Sequence, residues 1–266
     1  EGDTIWRTAR TLHAALAGQP VLAIGSSLPA VAAAAERLRV VGQTIEAVEA
    51  RGKHLLVRFA GGAVLHTHQG MRGSWHLRRR VGATPRPPSR ARAVIETAGA
   101  VAVCSLAPVV EMLSAAQAAA HPALRRLGPD LLAPGFDPAA AARRLRARGD
   151  LAIGVALLDQ TALAGIGNVY KSEVLFLCGV SPFARVGDLD DGALDRLVEK
   201  AGELLRRNLG PGMRRTTSPL APGRLWVSGR SGQPCRRCGA IVERSVQGEQ
   251  ARSTYFCPTC QRRPVG

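Results

Sequence analysis

Four cysteines near the end of the sequence constrain the fold more than any other feature. They stand in two pairs, Cys235-Arg-Arg-Cys238 and Cys257-Pro-Thr-Cys260, separated by residues 239–256. Two such pairs at this distance are typical of a zinc site in which each pair occupies one tight turn. Four thiolates fill the coordination sphere of zinc and leave no position open for a substrate. The spacing therefore predicts one structural Zn²⁺ per chain, bound by Cys235, Cys238, Cys257 and Cys260.

The segment between the cysteine pairs has the pattern of a β-hairpin. Residues 240–246 are partly apolar and β-prone, Gly248 suits a turn, and residues 251–256 end in Ser-Thr-Tyr-Phe. Two short β-type runs around a glycine turn predict a hairpin, which the metal would close at its base.

The net charge indicates the class of partner. The 266 residues carry a formal charge of +16, and the isoelectric point is about 11.2. An excess of this size is typical of proteins that bind a polyanion, with an anionic membrane surface and simple solubility as alternatives. No run of roughly eighteen apolar residues is present, so we expect no membrane-spanning segment. No signal peptide is recognisable.

The cysteine usage favours a reducing compartment. Six cysteines are present, and four of them belong to the zinc pattern. Cys104 and Cys178 have apolar neighbours, which predicts small core residues rather than a disulfide.

Residues 1–120 have the pattern of a β-sandwich domain with a flanking helix. Ile5, Ala9, Leu12 and Leu16 follow helical spacing within residues 3–17. Short β-type runs follow at 39–41, 43–48, 54–59, 63–68, 75–77, 92–96 and 100–104. Strands of this length and spacing predict a sandwich or a barrel, and we favour the sandwich. The proline-rich basic stretch 82–90 is predicted to be a solvated hairpin tip.

The composition changes near residue 121 and indicates further domains. Residues 121–136 resemble an interdomain connection, and residues 137–228 contain four helical segments before a stretch rich in Pro, Gly and Ser. Residues 229–266 form the predicted zinc hairpin. The whole chain is therefore predicted to have an α+β fold.

Four motifs stand in a characteristic order along the chain. They are Glu1-Gly-Asp-Thr-Ile-Trp6, Gly52-Lys-His-Leu-Leu56, the segment 158–176 around Gly165-Ile-Gly-Asn168, and the zinc hairpin from Gly229. Their combination resembles the Fpg/Nei family of DNA glycosylases and, within it, the endonuclease VIII branch, to which residues 111–113 and 121–130 are also similar. The resemblance covers nearly the whole chain and implies that residues 137–228 are a helix–two-turns–helix DNA-binding domain.

The resemblance also concerns a residue that precedes Glu1 in the family. Family members begin, after removal of methionine, with Pro-Glu-Gly, and the secondary amine of that proline is the nucleophile. An α-amino group titrates near ~8, so much of it is unprotonated at neutral pH. The sequence given begins at Glu1. We expect Met-Pro to precede it in the native protein; a paralogue without the nucleophile is the alternative.

Three residues match catalytic positions of the family. The resemblance makes Glu1 the acid that protonates the sugar ring oxygen as the base leaves. It makes Lys53 a phosphate ligand and active-site cation, and it places Arg252 on the phosphate next to the lesion, where a guanidinium fork suits phosphate better than an ammonium group.

Further residues match DNA-binding positions. Asn168 follows a glycine turn that opens a helix, and the resemblance implies that it grips the DNA backbone. Arg126 is a further predicted phosphate contact. Gly70, Met71 and Arg72 lie in the loop that fills the gap left by the flipped nucleotide, where Met71 would be the apolar wedge.

Two histidines beside that loop, His66 and His68, invite comparison with a metal site. No third ligand is spaced for one along the sequence, so we interpret them as histidines at a strand end.

The resemblance implies a monomeric, cytoplasmic and nucleoid-associated enzyme of base excision repair. It would hold double-stranded damaged DNA between its two main domains, flip out an oxidised pyrimidine and cleave the glycosidic bond through a Schiff base. It would then cut the strand by β- and δ-elimination. The alternatives are a formamidopyrimidine and 8-oxoguanine glycosylase, and a non-catalytic protein that binds damaged DNA.

Overall fold

The computed structural model describes residues 1–80 and 91–262, so the predicted hairpin tip at 82–90 lies outside the described residues. In chain order the helices and strands are α1 (Gly2–Leu16), β1 (Ala23–Gly25), α2 (Pro29–Arg37), β2 (Ile45–Arg51), β3 (His54–Phe59), β4 (Val64–His68), β5 (Ser74–Arg79), β6 (Ala91–Glu96), β7 (Ala100–Ser105), β8 (Val109–Leu113), α3 (Ala115–Ala120), α4 (Pro122–Arg125), α5 (Pro138–Arg146), α6 (Ile153–Ala156), α7 (Asn168–Leu177), α8 (Asp191–Arg207), β9 (Glu243–Gln247) and β10 (Arg252–Phe256).

The chain forms two compact units. The N-terminal unit consists of residues 4–125, and the C-terminal unit consists of residues 1–3 together with the chain from Arg126 onward. The first three residues therefore belong to the unit that contains the end of the chain. The division into domains 1–120, 121–136, 137–228 and 229–266 stays a prediction.

Two antiparallel four-stranded sheets form the N-terminal unit. Their strand orders are β1-β6-β7-β5 and β2-β3-β4-β8. Apolar residues from both sheets and from α1 belong to one core, and all four apolar residues predicted to share a face of α1 are buried in it. Burial of this shared apolar surface stabilises the arrangement. The predicted β-sandwich with a flanking helix is confirmed, and no barrel forms.

Some elements differ from the sequence prediction. Residues 39–41 are not a strand, because α2 ends at Arg37 and Arg39 adopts φ 50° in the left-handed region. An extended strand cannot pass through that conformation. No pattern in the sequence predicts α2, β1 or β8.

Helix α7 lies at the centre of the C-terminal unit. Its residues 170–176 are all buried, including the polar run Tyr170-Lys-Ser-Glu173. Apolar residues of α5, α6 and α8 pack with it, and Phe176 belongs to a second cluster with Val227, Cys235 and Cys257. A helix buried on all sides must satisfy its polar side chains internally. The partners of the polar side chains of α7 form the candidate site described below.

Candidate catalytic site and zinc centre

The carboxylate of Glu1 is held at the first turn of α7. Its Oε1 accepts a hydrogen bond from the backbone N–H of Val169 at 2.8 Å, and its Oε2 accepts one from Tyr170 at 3.4 Å. These N–H groups have no partner within the helix, and the helix dipole favours a negative charge there. The first turn of α7, directly after the glycine turn, thus binds the chain's own carboxylate in this structure.

Glycines let the first residues approach the turn before α7. The backbone N–H of Gly2 donates to the carbonyl of Gly165 at 2.9 Å, and a Cβ on Gly2 would lie 3.1 Å from the Cα of Gly165. A Cβ on Gly167 would lie 2.3 Å from Glu1 Oε1. Side chains at these two positions would therefore displace the residues that position the carboxylate.

Asp3 and Arg214 form a buried ion pair beside Glu1. Arg214 donates from Nη2 to Asp3 Oδ1 at 2.6 Å and from Nε to Asp3 Oδ2 at 2.9 Å. Tyr170 donates its hydroxyl to Asp3 Oδ2 at 3.0 Å, and the guanidinium lies 4.7 Å from the centre of the Tyr170 ring. The Asp3 side chain is fully buried. Such a two-pronged pair fixes both side chains in one geometry.

Pairing outweighs burial in this cluster. Burial alone would raise the pKa of Asp3, but the hydrogen bonds and charge of Arg214 hold that pKa below its usual value. Burial alone would lower the pKa of Arg214, but Asp3 and the charge of Glu1 raise it above its usual range. Burial and the charge of Asp3 raise the pKa of Tyr170. Asp3 and Arg214 are therefore both ionised, and Tyr170 is neutral, over the physiological pH range.

The buried carboxylate of Glu173 fastens a downstream loop to α7. It accepts hydrogen bonds from the backbone N–H groups of Trp226 at 2.8 Å, Val227 at 2.9 Å and Ser228 at 2.8 Å, and from the hydroxyl of Thr216. The segment that contains Arg214 is thus tied to the same helix that holds Glu1.

Lys171 connects α7 to the strand that contains Arg252. Its ammonium group is buried and donates to the carbonyl of Ser253 at 3.0 Å and to the hydroxyl of Thr254 at 2.7 Å. Burial lowers the pKa of Lys171 to about 8; the charge of Glu1 opposes this shift and that of Arg252 adds to it. Glu1 and Arg252, two of the predicted catalytic residues, therefore influence one buried amine.

The remaining predicted residues of the C-terminal unit are placed as follows. Asn168 is the first residue of α7, directly after the glycine turn. Arg252 begins β10, and its guanidinium donates to the side-chain oxygen of Gln250 at 3.1 and 2.8 Å. Arg126 is exposed just after α4. Their roles toward DNA stay predictions.

The four cysteines converge as the spacing predicts. The Sγ atoms of Cys235 and Cys260 are 4.0 Å apart, those of Cys238 and Cys257 are 3.5 Å apart, and all four lie within 4.8 Å of one another. Tetrahedral zinc with Zn–S bonds of about 2.3 Å requires sulfur separations of about 3.8 Å. The donor set therefore fits one structural zinc ion, which those four residues would hold.

The zinc knuckles are attached to the hairpin and to the helical region. Gly239 adopts φ 80° and donates its N–H to the carbonyl of Cys235, which closes the first knuckle. In the second knuckle the side chain of Gln261 accepts from the N–H of Cys257 at 3.0 Å and donates to the carbonyl of Val180 at 2.9 Å. The predicted hairpin is confirmed as β9 and β10, with Gly248 in the turn.

The N-terminal unit contains the other predicted DNA-binding residues. Lys53 follows Gly52, whose φ of 57° makes the tight turn between β2 and β3. Gly70, Met71 and Arg72 form the turn between β4 and β5, and Met71 is 87% exposed. The wedge role of Met71 stays a prediction.

The interpretation of His66 and His68 as simple strand-end histidines needs correction. Strand pairing places Glu111 of β8 opposite His66 and His54 of β3 opposite His68, and His121 joins them, although none of these is close to His66 in the sequence. Glu111 Oε2 accepts from His66 Nδ1 at 2.8 Å and from His121 Nε2 at 3.0 Å. His66 Nε2 lies 2.8 Å from His54 Nδ1. A group with metal-ligand geometry, namely His66, Glu111 and His121, therefore does exist.

Hydrogen bonds join His54, His66 and Glu111 in one chain. Burial lowers the pKa of His54 to about 3, with His66 and His68 adding to the shift. Burial also lowers the pKa of His66, against the opposing effect of Glu111. With both rings neutral, His54 Nδ1–H donates to His66 Nε2 and His66 Nδ1–H donates to Glu111. The third ring, His121, donates from Nε2 to Glu111, and its buried Nδ1 has no hydrogen-bond partner among the described residues.

Sequence reasoning missed the residues around Glu1. No sequence pattern assigns a role in the site to Asp3, Tyr170, Lys171, Glu173 or Arg214. A run of polar residues inside an otherwise apolar helix is a sign that could have identified those in α7. Arg214 lies 211 positions from Asp3, and no local pattern connects the two.

Comparison with known families agrees with this architecture. Residues 1–106 match the formamidopyrimidine-DNA glycosylase N-terminal domain, residues 127–218 match the formamidopyrimidine-DNA glycosylase H2TH domain, and residues 232–263 match the zinc finger found in FPG and IleRS. The protein is therefore a member of the Fpg/Nei family of DNA glycosylases.

Its relatives belong to the endonuclease VIII branch. The chain is 43% identical to the probable endonuclease 8 2 of Streptomyces coelicolor, over 100% of this chain and 95% of the relative. It is 41% identical to the DNA-(apurinic or apyrimidinic site) lyase Nei2 of Mycolicibacterium smegmatis, over 98% of each protein.

A solved structure has the same fold. The formamidopyrimidine-DNA glycosylase of Lactococcus lactis, bound non-covalently to DNA that contains an AP site, matches with a TM-score of 0.82 and 26% identity. The match covers 99% of this chain and 100% of that one. Within the described ranges, no helix has the length and apolar character needed to cross a membrane.

Proposed function

We propose that the protein is a bifunctional DNA glycosylase and AP lyase of base excision repair that removes oxidised pyrimidines from double-stranded DNA. The observation that supports this best is the likeness, over essentially the full chain, to proteins named endonuclease 8 2 and DNA-(apurinic or apyrimidinic site) lyase Nei2. The formal charge of +16 suits a DNA ligand.

Each predicted residue has a role in this proposal. An N-terminal proline amine before Glu1 attacks the anomeric carbon, and Glu1 gives a proton to the sugar ring oxygen. Lys53, Arg126, Asn168 and Arg252 bind phosphates, and Met71, flanked by Gly70 and Arg72, fills the gap left by the flipped base. The zinc ion is structural and holds the hairpin that presents Arg252. The enzyme acts as a monomer in the cytoplasm, on the nucleoid.

A second candidate substrate class comes from the solved structures. The fold matches a formamidopyrimidine-DNA glycosylase, and one such complex contains FAPY-dG DNA. Activity on formamidopyrimidines is therefore the alternative specificity for the same chemistry.

A substrate panel tests the proposal. Duplexes of one sequence containing thymine glycol, 5-hydroxyuracil, formamidopyrimidine, 8-oxoguanine or an abasic site are incubated with the protein carrying Pro before Glu1. We expect excision of the pyrimidine lesions, products of β- and δ-elimination, and a borohydride-trapped adduct. Preferential excision of the purine lesions would support the alternative specificity. Binding without excision or trapping on any duplex would contradict both.

A further inference from the structure

The Glu1 carboxylate has contacts on two sides. Val169 donates a backbone hydrogen bond to Oε1, and Arg214 Nη1 lies 3.3 Å from Oε2. The Glu1 side chain is 13% exposed and that of Arg214 is 19% exposed. Solvent screens such a contact little, so the position of the guanidinium determines the orientation of the carboxylate.

Arg214 is itself held firmly. Asp3 binds its Nε and Nη2 atoms, and the ring of Tyr170 lies under its planar face. The third nitrogen of the guanidinium, Nη1, is the one that faces Glu1. Because Tyr170 also donates to Asp3, the three side chains lock one another. A guanidinium that is fixed on one edge by Asp3 and contacted by the Tyr170 ring cannot follow movements of the Glu1 carboxylate, so the carboxylate must align with it.

We propose that Arg214, oriented by Asp3 and Tyr170, is a positioning residue for the Glu1 carboxyl. This inference rests on the proposed function, in which Glu1 delivers a proton to the sugar ring oxygen. Arg214 acts through Glu1 and not on the DNA base or the reacting atoms. Its effect is therefore confined to the step that requires Glu1.

An effect limited to that step changes the rate of base excision and not the rate of abasic-site cutting, whereas general destabilisation would lower both rates. Excision of a damaged base needs a correctly placed acid, whereas cutting at a preformed abasic site requires no base to leave. A displacement of about 1 Å at a catalytic group can cost about a hundredfold in rate. Disturbing Arg214 should therefore slow excision and spare abasic-site cutting.

The test compares three variants of the protein carrying Pro before Glu1. Arg214→Lys keeps the positive charge but loses the fork that Asp3 binds. Gly167→Ala places a Cβ against Glu1 Oε1, and Gly167 has no positive φ that would strain an alanine. Arg143→Lys is the matched control, since Arg143 is 72% exposed on α5. Single-turnover rates are measured on thymine-glycol and on abasic duplexes.

We expect Arg214→Lys and Gly167→Ala to reduce excision by about 10- to 100-fold and to leave abasic-site cutting within about threefold. Arg143→Lys should match the unsubstituted protein on both duplexes. Equal losses on both duplexes, or undiminished excision by Arg214→Lys, would overturn the inference. Should Arg214→Lys fail to fold, Tyr170→Phe replaces it, because this variant keeps the ring beside the guanidinium and removes only the hydrogen bond to Asp3. If the unsubstituted protein excises no lesion, the proposed function fails instead, and the two failures remain distinguishable.

Discussion

Each unit contains one buried polar network, and the two networks differ in whether their side chains are charged. In both, burial disfavours the charged forms and the neighbouring groups can favour them. In the N-terminal unit, burial prevails and the pKa values of His54 and His66 fall, so the imidazoles are neutral. In the C-terminal unit, pairing prevails and Asp3 and Arg214 stay charged. The difference lies in geometry: a guanidinium fork can satisfy a carboxylate at two atoms, whereas the histidines repel one another once protonated.

The two networks also differ in what lies next to them. The imidazoles of His54 and His66 are neutral and add no positive charge to the N-terminal unit. The charged network lies against Glu1 and orders the first three residues of the chain. We infer that charge is retained where a reacting group must be held.

Loss of the zinc should affect the C-terminal unit and leave the fold of the N-terminal unit intact, and we expect it to have the largest effect. Cys257→Ser leaves three thiolates, so we expect loss of the bound zinc and of duplex binding, because the hairpin no longer presents Arg252. The N-terminal unit should keep its strand signal in circular dichroism. Cys178→Ser, outside the cysteine cluster, serves as the control and should retain one zinc per chain. Strand cutting by the metal-free variant would contradict a structural role for zinc.

Breaking the charged network should be costly for stability. Asp3→Ala leaves the guanidinium of Arg214 without its two-pronged partner, and we expect a loss of about 3 kcal/mol in the free energy of unfolding. The control Asp191→Ala removes an ion pair in which Asp191 is 90% exposed, and it should cost about 1 kcal/mol or less. Urea titrations provide the measurement. Equal losses in the two variants would show that burial of the pair has no energetic consequence.

Acid should weaken the neutral network and not the charged one. The folded pKa of His54 is about 3, against 6.5 in a model peptide, so the unfolded chain binds more protons below pH 6.5 and stability falls with pH. From pH 6.5 to 5 the loss attributable to His54 is about 1.6 kcal/mol. The pKa of Asp3 lies below 3.8, so that group contributes no change in this window.

His54→Gln should flatten the stability profile between pH 6.5 and 5. The control is His76→Gln, because His76 is exposed and hydrogen-bonded to Ser74. A profile for His54→Gln as steep as that of the unsubstituted protein would mean that His54 is not held neutral.

A site outside both networks should contribute charge alone and have the smallest effect. Neutralising ~5 phosphates gives a log–log salt dependence of about −4 to −5 for duplex binding. Arg126→Ala should make that slope shallower by about 1 and should weaken binding equally on damaged and undamaged duplexes. A change confined to one lesion would assign Arg126 to recognition instead.

The sequence predicted those features that depend on local pattern. The zinc ligands, the hairpin and the apolar face of α1 follow from spacing within short segments. Strand β3 was predicted with its observed ends, because its six residues are β-prone and glycines stand on both sides.

Features that depend on tertiary contact could not be predicted in this way. The pairing of Asp3 with Arg214 joins residues 211 positions apart, and the meeting of His66 with Glu111 follows from the register of β4 against β8. Similarly, Arg39 ends the α2 region through its left-handed backbone, which a β-prone sequence does not reveal. Such contacts form only when segments distant in the sequence pack together in the folded unit.

We infer that the Glu1 carboxyl, held by the buried charged network, is the acid in base excision. Glu1→Gln keeps the shape of the side chain and removes its acidity. In the protein carrying Pro before Glu1, the ratio of thymine-glycol excision to abasic-site cutting is measured with and without this substitution. We expect Glu1→Gln to lower the ratio by at least about a hundredfold, with abasic-site cutting largely retained. An unchanged ratio would show that Glu1 is not the acid.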